Sequence, residues 1–480
     1  MRQKFISNLI FLLALNLVIK PTYILGIEAE VQNQVGPEIY GKYAALISLS
    51  FLFNILLDLG IQNYNTRNIA SHEQLLAKHF PRILTLRGLL VLLYLSVLMA
   101  AGWGLGYRGI DLQHLLILGL NQALAGFILF FRSNLSGLHL FKQDSIISVL
   151  DRSLLIVLMG LLLWGSVTDQ AFDITWFIWG QTIAYSTSFL VSLFMVMRQA
   201  GKVRPIVDKA FNVMILKNSF PYALLFFLMT VYYRTDSIML ERLLPDGAYH
   251  AGIYAMGFRL FEAANMVSYL FAVLLLPIFA RMLSQKESVE PVTMLSFRVL
   301  FSGTLLLSAA CFLFDDTILG LRYHERISEA APTFSILMIS FLFFALSYIF
   351  GTLMTAAGQL RKLNQIALIG LVLNVGLNLA LIWEWHALGC AIASLCAHGI
   401  VAITQAIICF RAFQFRLEAS LVKQLVVYIG GLAVLGAGST IIQGHEVLKL
   451  GAFLGGGLLL AVGVGLLNVK SFMTLMRSRK

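Results

Sequence analysis

Two charged side chains lie inside one long apolar run of the sequence. Arg234 and Asp236 are near the middle of the run from Phe220 to Leu244. A helix of about 20 residues crosses the hydrocarbon core of a bilayer, and a charge at its centre costs about 2.5–3.5 kcal/mol. Charges at that depth usually face protein or a water-filled cavity and mark a pathway. Arg234 and Asp236 are two residues apart in the sequence, so their side chains point about 200° away from each other around a helix. Each therefore needs a partner from another helix, and we expect these helices to line a cavity.

The first apolar run carries three polar side chains on one helical face. Asn16, Lys20 and Tyr23 follow the i, i+4, i+7 spacing that stacks side chains along a helix. Pro21 follows the lysine and predicts a bend there. A lysine beyond the centre of its span can also extend to the membrane surface. We interpret this face as lining the same cavity, with that surface position of Lys20 as the alternative.

Three further charged residues lie in the second and eighth runs. Asp58 lies near the inner end of the second run, where it lines the cavity or is interfacial. Arg259 and Glu262 are three residues apart, so they can form an ion pair on one helix face. That pair is either functional or structural. We interpret four polar residues of the last runs as helix-packing hydrogen bonds: Asn374, Asn378, Ser394 and His398.

The composition predicts an all-α polytopic membrane protein. The chain has 480 residues, of which 59% are hydrophobic and 12% charged, and its mean hydropathy is +0.83. Globular proteins carry about 25% charged residues. The four cysteines form no CxxC or Cys/His cluster, so we expect no disulfide or metal. Without a Walker, Rossmann or nucleophile motif, we expect neither an enzyme nor a bound cofactor.

The basic residues predict the topology. About fourteen apolar runs are long enough to span a bilayer. Of the 35 Lys and Arg, 24 fall in segments on one side and six on the other. Under the positive-inside rule, we therefore expect both termini to be cytoplasmic. The same rule accounts for the net charge of +11, so this charge does not indicate a nucleic-acid partner. We predict an N-terminal lobe over 1–198, a linker over 199–213, a C-terminal lobe over 214–411, and a helix pair with a basic tail over 412–480.

A weak internal repeat agrees with that division. Gly41-Lys42-Tyr43-Ala44 opens the second run, and Gly252-Ile253-Tyr254-Ala255 opens the eighth. Two repeated six-helix lobes are typical of transporters whose site lies between the repeats. This repeat therefore favours transport over a purely structural membrane protein.

Several short motifs resemble a known family. They are Lys20-Pro21, Val31-Gln32-Asn33, Gly41-Lys42-Tyr43, Asp58-Leu59-Gly60 and the segment from Arg234 to Leu240 (RTDSIML). Together with the topology they resemble the bacterial O-antigen and polysaccharide-export flippases of the multidrug/oligosaccharidyl-lipid/polysaccharide superfamily. The resemblance implies two six-helix lobes in a V, a central cationic cavity and two C-terminal helices.

The resemblance also implies an activity. A polyprenyl-pyrophosphate-linked oligosaccharide would move from the inner to the outer leaflet of the bacterial inner membrane by alternating access, coupled to protons, sodium or the membrane potential. Its partners would be this lipid-linked substrate, the bilayer and other polysaccharide-assembly membrane proteins. Guanidinium and ammonium groups bind pyrophosphate oxygens well. The substrate-binding candidates are Lys20, Arg234, Arg259, Asn16 and Tyr23. The ion-coupling candidates are Asp236, Asp58 and Glu262.

Two other functions stay as alternatives. A multidrug or cation antiporter of the same fold would present an acidic cavity, whereas the central charges here lean positive. A membrane glycan polymerase or ligase would need a long external loop, and the largest predicted external segment runs only from about Asp315 to Ala330.

Overall fold

The computed structural model describes residues 15–61, 75–138, 140–165, 167, 169–200, 206–416, 418–441 and 444–467. These residues form helices and connecting turns without any strand. Three predicted segments lie outside them: the start of the first run, residues 201–205 of the linker, and the basic tail from residue 468.

The described helices are numbered α1 to α15 in chain order. The first is α1, residues 15–28, which includes the π-helical segment Tyr23–Glu28. The others are α2 Ala29–Leu52, α3 Ile55–Asp58, α4 Leu75–Gly104, α5 Gly109–Gly137, α6 Phe141–Trp164, α7 Ile174–Ala200, α8 Lys209–Leu243, α9 Gly247–Ser284, α10 Glu290–Leu313, α11 Asp315–Gly320, α12 Ile327–Ala356, α13 Leu360–Ala412, α14 Ala419–Ile441 and α15 Glu446–Gly463.

Twelve continuous helical runs of the described chain are long and apolar enough to cross a membrane. Two of them, Leu15–Asp58 and Leu360–Ala412, contain a kink. At 1.5 Å per residue the second would be about 80 Å long, more than twice the hydrocarbon thickness. The kinks fall at Gly36, with φ 78°, and at His386, with φ 48°. Dividing both runs there yields the fourteen predicted spans.

The chain forms two compact units, Met1–Ala255 and Met256–Lys480, which divide within α9. In the N-terminal unit, α2 packs on α8, and α5 and α6 pack on α7. Aromatic side chains fill its core, where the Phe80 and Phe130 rings stack 5.5 Å apart between centroids. Burial of such rings supplies van der Waals contact, which drives helix association inside a bilayer.

In the C-terminal unit, α12 packs on α10 and α13, and the pair α14 and α15 packs on α10. The Tyr428 hydroxyl donates to the Ser302 carbonyl oxygen at 3.1 Å. A Cβ atom on Gly457 would lie 2.3 Å from Leu306 Cδ1. The absent side chain therefore lets α15 approach α10 closely, as expected of small residues at membrane helix contacts.

Candidate functional site

A π-helical turn shapes the first part of the site. Pro21, which has no N–H group, precedes the segment Tyr23–Glu28, and the Ala29 N–H bonds to the Ile24 carbonyl five residues back. In an α-helix, residues five apart point about 140° away from each other. The wider turn instead lets the Tyr23 hydroxyl donate to Glu28 Oε1 at 2.9 Å, with both residues buried. Such π turns are frequent at functional sites.

The predicted polar face of the first span lies against α6. The Asn16 amide nitrogen donates to Ser148 Oγ at 2.9 Å. The guanidinium carbon of Arg152 lies 4.5 Å from the centroid of the Tyr23 ring. Ser148 and Arg152 are one helical turn apart, so one face of α6 contacts both ends of the stripe that the spacing predicted.

Lys20 interacts electrostatically with two cations of other spans. The charges of Arg132 on α5 and of Arg152 and Asp151 on α6 all act on the Lys20 ammonium group. Arg132 Nε bonds to Asp144 Oδ1 at 2.7 Å. Among the described residues, no carboxylate lies within ion-pair distance of Lys20. Lys20 is therefore coupled by charge to two arginines that the sequence had not assigned to a site.

Helix α7 covers the other side of Arg152. Its guanidinium carbon lies 5.6 Å from the centroid of the Tyr185 ring. One turn earlier on α7, the Gln181 amide nitrogen donates to the Tyr43 hydroxyl at 2.7 Å. Aromatic rings from α1 and α7 thus flank the guanidinium, an arrangement that can hold a cation.

Arg234 and Asp236 lie on different sides of α8, as their spacing predicted. The guanidinium carbon of Arg234, a partly exposed residue, is 4.5 Å from the centroid of the Phe51 ring. Asp236 is only 2% exposed, and its Oδ2 accepts a hydrogen bond from the Tyr254 hydroxyl at 2.7 Å. Arg234 thus contacts α2, whereas Asp236 contacts α9.

Asp58 forms an ion pair with an arginine that the sequence analysis had given no role. Arg87 Nη2 contacts Asp58 Oδ1, and Arg87 Nη1 donates to the Gly126 carbonyl at 2.8 Å. The guanidinium also lies 4.8 Å from the centroid of the Phe130 ring. Arg87 is 2% exposed. The signal that could have revealed this pair was a buried arginine in the third span, which requires a partner in a membrane.

In the C-terminal unit, Arg259 Nη1 donates to Glu262 Oε2, so the two form the ion pair that their spacing allowed. Arg259 is 6% exposed. Elsewhere in this unit, the Asn374 amide donates to Ser394 Oγ at 3.4 Å, and Asn378 donates to Asn374 at 3.3 Å. The first contact joins the two halves of α13 across the kink at His386, as the helix-packing interpretation expects, whereas the second lies within one half.

The residues that sequence reasoning missed are Arg152, Arg132 and Glu28. Each lies in a membrane-spanning run, and that position was the available signal. Spacing could not relate the two arginines to the first span, because their positions depend on how α5 and α6 pack against it. Glu28 reaches Tyr23 only through the π turn within α1. Within the described residues, no group of His, Cys, Asp and Glu side chains could hold a metal ion.

Comparisons with known proteins place this site in a familiar fold. Residues 7–287 match the family described as "Polysaccharide biosynthesis protein". The lipid II flippase MurJ, in an inward closed conformation, is similar with a TM-score of 0.69 and 13% identity, covering 92% of this chain and 96% of its own. No curated protein sequence matches.

Two transporters of the MOP superfamily share the fold as well. An inward-facing multidrug resistance MATE transporter has a TM-score of 0.61 and 12% identity, covering 82% of this chain and 95% of its own. A transporter from Pyrococcus furiosus, described as having a binding pocket of reverse polarity, has a TM-score of 0.58 and 14% identity, covering 84% and 96%. At these identities the likeness concerns the fold alone.

Proposed function

This chain belongs to the polysaccharide biosynthesis protein family, and we propose that it is a flippase for a polyprenyl-pyrophosphate-linked oligosaccharide. The oligosaccharide is the repeat unit of a surface polysaccharide, such as an O-antigen. The protein moves it from the cytoplasmic to the outer leaflet of the bacterial inner membrane. The chain alternates access between the two sides without chemical change to the substrate.

The positive charge of Lys20, Arg132 and Arg152 in the membrane-spanning part of the N-terminal unit supports this proposal, with the Arg152 guanidinium against the rings of Tyr23 and Tyr185. Arg132 is neutralised by Asp144 at 2.7 Å. The carboxylate that pairs with Arg152 belongs to Asp151 and is 3.7 Å away, which is longer than a hydrogen bond. Lys20 and Arg152 can therefore offer charge-assisted hydrogen bonds to pyrophosphate oxygens. Such bonds offset the cost of taking the anion out of water.

The lipid part of the substrate needs apolar surface. An apolar groove of about 450 Å³ in the C-terminal unit is lined by residues that include Phe297, Phe350 and Phe410, with Arg411 also in its wall. An isoprenoid chain gains about 0.8 kcal/mol for each CH₂ group that leaves water, but it gains little in leaving lipid. We therefore expect the groove to bind part of the isoprenoid chain weakly and briefly during transport.

The antiporter alternative predicts different chemistry. A site for cationic drugs needs carboxylates that face the ligand. In the N-terminal unit, Asp144 is held by Arg132, and Asp236 accepts a hydrogen bond from Tyr254. Glu28 likewise accepts from Tyr23. These engaged carboxylates favour an anionic substrate over a cationic one.

A leaflet-accessibility assay tests the proposed function. Cells depleted of this protein should retain the lipid-linked glycan in the inner leaflet, where an external glycosidase or lectin does not reach it. Re-expression of the intact chain should restore exposure of the glycan. Unchanged exposure after depletion, in cells without a second transporter of this family, would contradict the flippase function.

A further inference from the structure

We infer that the apolar groove of the C-terminal unit holds an anionic phospholipid of the bilayer, with an acyl chain along its aromatic floor and the headgroup at Arg411. This lipid is a component of the membrane, so the inference goes beyond the proposed function and does not depend on which substrate the protein carries. The isoprenoid chain occupies the groove only briefly during transport, and the phospholipid fills it otherwise.

The groove exists because α14 is fastened to α10 rather than to α13. In the turn between α13 and α14, the Arg416 backbone N–H donates to Glu290 Oε1 on α10 at 2.8 Å. Arg298 Nη2, also on α10, lies 3.4 Å from Glu418 Oε2 just before α14. Within the described chain, α14 packs on α10 and α15 but does not pack along α12 or α13. The space between α13 and α14 is therefore a groove rather than a helix contact.

Aromatic rings form the floor of the groove. The ring centroid of Phe350 on α12 lies 6.3 Å from that of Phe297 on α10 and 6.4 Å from that of Phe410 on α13. Leu421 and Leu425, one turn apart on α14, line the groove as well. An extended acyl chain makes van der Waals contact with such a surface, and contact of this kind drives association inside a bilayer.

The groove is open to lipid along α13. Ile403 and Ile407 belong to its wall, are one helical turn apart, and are 52% and 47% exposed. Apolar side chains that are exposed on a spanning helix face the hydrocarbon of the bilayer. A phospholipid can therefore enter the groove sideways from the membrane.

Arg411 is the charged residue in this wall, whose other side chains are all apolar. It is exposed in the last turn of α13, and among the described residues no carboxylate lies within ion-pair distance of it. The carboxylate of Glu418, in the turn that follows, contacts Arg298 instead. The Arg411 guanidinium can therefore donate two parallel hydrogen bonds to the oxygens of a phosphate group.

The position of Arg411 suits the headgroup layer of the membrane. Helix α13 ends at Ala412, and the distribution of basic residues predicts that this end is cytoplasmic. From Arg411 to Lys423 the chain carries three basic residues and one acidic residue. Basic pockets between spanning helices on the cytoplasmic side bind anionic lipid headgroups. The charge at this end of the groove therefore complements an anionic lipid.

The headgroup determines which phospholipid binds. Every acyl chain leaves one apolar environment for another, so the groove itself hardly distinguishes one phospholipid from another. Phosphatidylglycerol carries a net negative charge, whereas the ammonium group of phosphatidylethanolamine cancels the charge of its phosphate. A cation at the membrane surface attracts the anionic lipid more strongly. We therefore expect the site to prefer phosphatidylglycerol.

Native mass spectrometry of the full-length protein in detergent tests this site. The protein is first freed of bound lipid and then titrated with phosphatidylglycerol or phosphatidylethanolamine that carry identical acyl chains. We expect phosphatidylglycerol to bind about fivefold more tightly, which is the attraction of one cation near the membrane surface. Arg411→Gln should remove this preference, and Arg411→Lys should keep most of it because the positive charge remains.

Lys423→Gln is the matched control for charge. Lys423 is exposed in the first turns of α14. It is two residues from both Leu421 and Leu425, so it points about 160° away from the side of α14 that lines the groove. This variant should keep the full preference for phosphatidylglycerol. Loss of the preference in both variants would contradict a site at Arg411 and assign the preference to the general surface charge.

A second pair of variants tests the acyl chain. Ala406 belongs to the groove wall, so Ala406→Phe fills part of the groove and should lose most of the first bound phospholipid. Ala433→Phe adds the same ring to an exposed position of α14 outside the groove and should bind like the unchanged protein. If Ala406→Phe does not fold, glycerol 3-phosphate is the probe, because it carries the phosphate without chains. Binding of glycerol 3-phosphate as tight as that of phosphatidylglycerol contradicts the groove.

Each outcome decides the inference. Equal affinity for the two phospholipids in the unchanged protein contradicts it, as does a preference that survives Arg411→Gln. Arg411→Gln should keep the melting temperature of the lipid-free protein, because the side chain is exposed. The mass of the lipid that stays on gently purified protein identifies the occupant: an anionic glycerophospholipid supports the inference, and an isoprenoid lipid in its place contradicts it.

Discussion

Gly41 on α2 and Gly252 on α9, which open the two similar tetrapeptides of the sequence, lie against each other in the N-terminal unit. A Cβ atom on Gly41 would be 1.8 Å from the Ala248 carbonyl oxygen and 2.5 Å from the Gly252 nitrogen. One on Gly252 would be 1.9 Å from the Pro37 carbonyl oxygen. The Gln32 amide nitrogen also donates to the Gly252 carbonyl at 2.9 Å. The two glycines of the repeat therefore mark a close contact of α2 and α9 that leaves no room for a side chain at either position.

We predict that Gly41→Ala and Gly252→Ala each destabilise the protein. The added methyl groups meet backbone atoms, which cannot rotate away, and overpacking of this kind costs about 1–3 kcal/mol or more. Membrane abundance and melting temperature should both fall. Gly376→Ala is the control, because no atom lies within 4 Å of its Cβ position. Equal stability of the three variants would contradict the crossing.

The pair of Asp58 and Arg87 predicts a loss of stability rather than of ion coupling. Breaking a buried ion pair costs roughly 3–5 kcal/mol, and less here because the Asp58 side chain is 31% exposed. Asp58→Asn should lower the melting temperature, and the exchange of the two residues should restore part of it. Asp111→Asn breaks the more exposed contact with Lys42 and should have a small effect. A stable Asp58→Asn protein with altered sodium or pH dependence of transport would reverse this expectation.

Asp236 is the strongest ion-coupling candidate of the N-terminal unit, because it is a buried carboxylate of a spanning helix. We predict that Asp236→Asn changes the sodium or pH dependence of glycan exposure. Tyr254→Phe, which removes the 2.7 Å hydrogen bond but keeps the carboxylate, should leave that dependence in place. Ion dependence can be measured in vesicles with imposed gradients. If Asp236→Asn shows the same sodium and pH dependence as the unchanged protein, the carboxylate does not couple an ion and only orients a neighbouring side chain.

Arg234 remains a substrate-binding prediction from its depth in the membrane. Arg234→Ala should reduce glycan flipping by about one to two decades at normal abundance, since one charge-assisted contact contributes about 1.5–3 kcal/mol. Arg234→Lys should recover part of the activity, because the charge stays but stacking on Phe51 weakens. Flipped glycan per assembled transporter is the quantity to measure. Full glycan flipping by a Lys20→Ala, Arg234→Ala double variant would contradict a substrate-binding role for these two residues.

Two short loops on either side of α10 test the topology. Lys286 lies before this span and Arg322 after it. The distribution of basic residues predicts that Lys286 is cytoplasmic and Arg322 external. A reporter active only in the cytoplasm should work at Lys286 and at the C-terminal Lys480, and should fail at Arg322. Activity at both loop positions would exclude the predicted orientation.

The membrane class, the number of spans and the family resemblance followed from the sequence. The reason is that a bilayer imposes a length of about 20 apolar residues on every helix that crosses it. Spacing along one helix was equally informative. Asn16 and Tyr23 both contact α6, Arg234 and Asp236 contact different helices, and Arg259 pairs with Glu262. Each of these depends only on the geometry of a single helix.

Partners on different helices were decided by tertiary structure alone. Arg152 is 129 residues from Tyr23 in the chain, yet their side chains stack; Arg87 meets Asp58 for the same reason. Periodicity shows which face of a helix is polar but not which helix will face it, because bilayer-spanning helices are all similarly apolar and choose neighbours by close packing and polar contacts. The π turn at Tyr23–Glu28 replaces the usual i to i−4 hydrogen bonds of the helix by i to i−5 bonds. The side-chain contact between Tyr23 and Glu28 therefore depends on the folded backbone and could not be predicted from α-helical spacing.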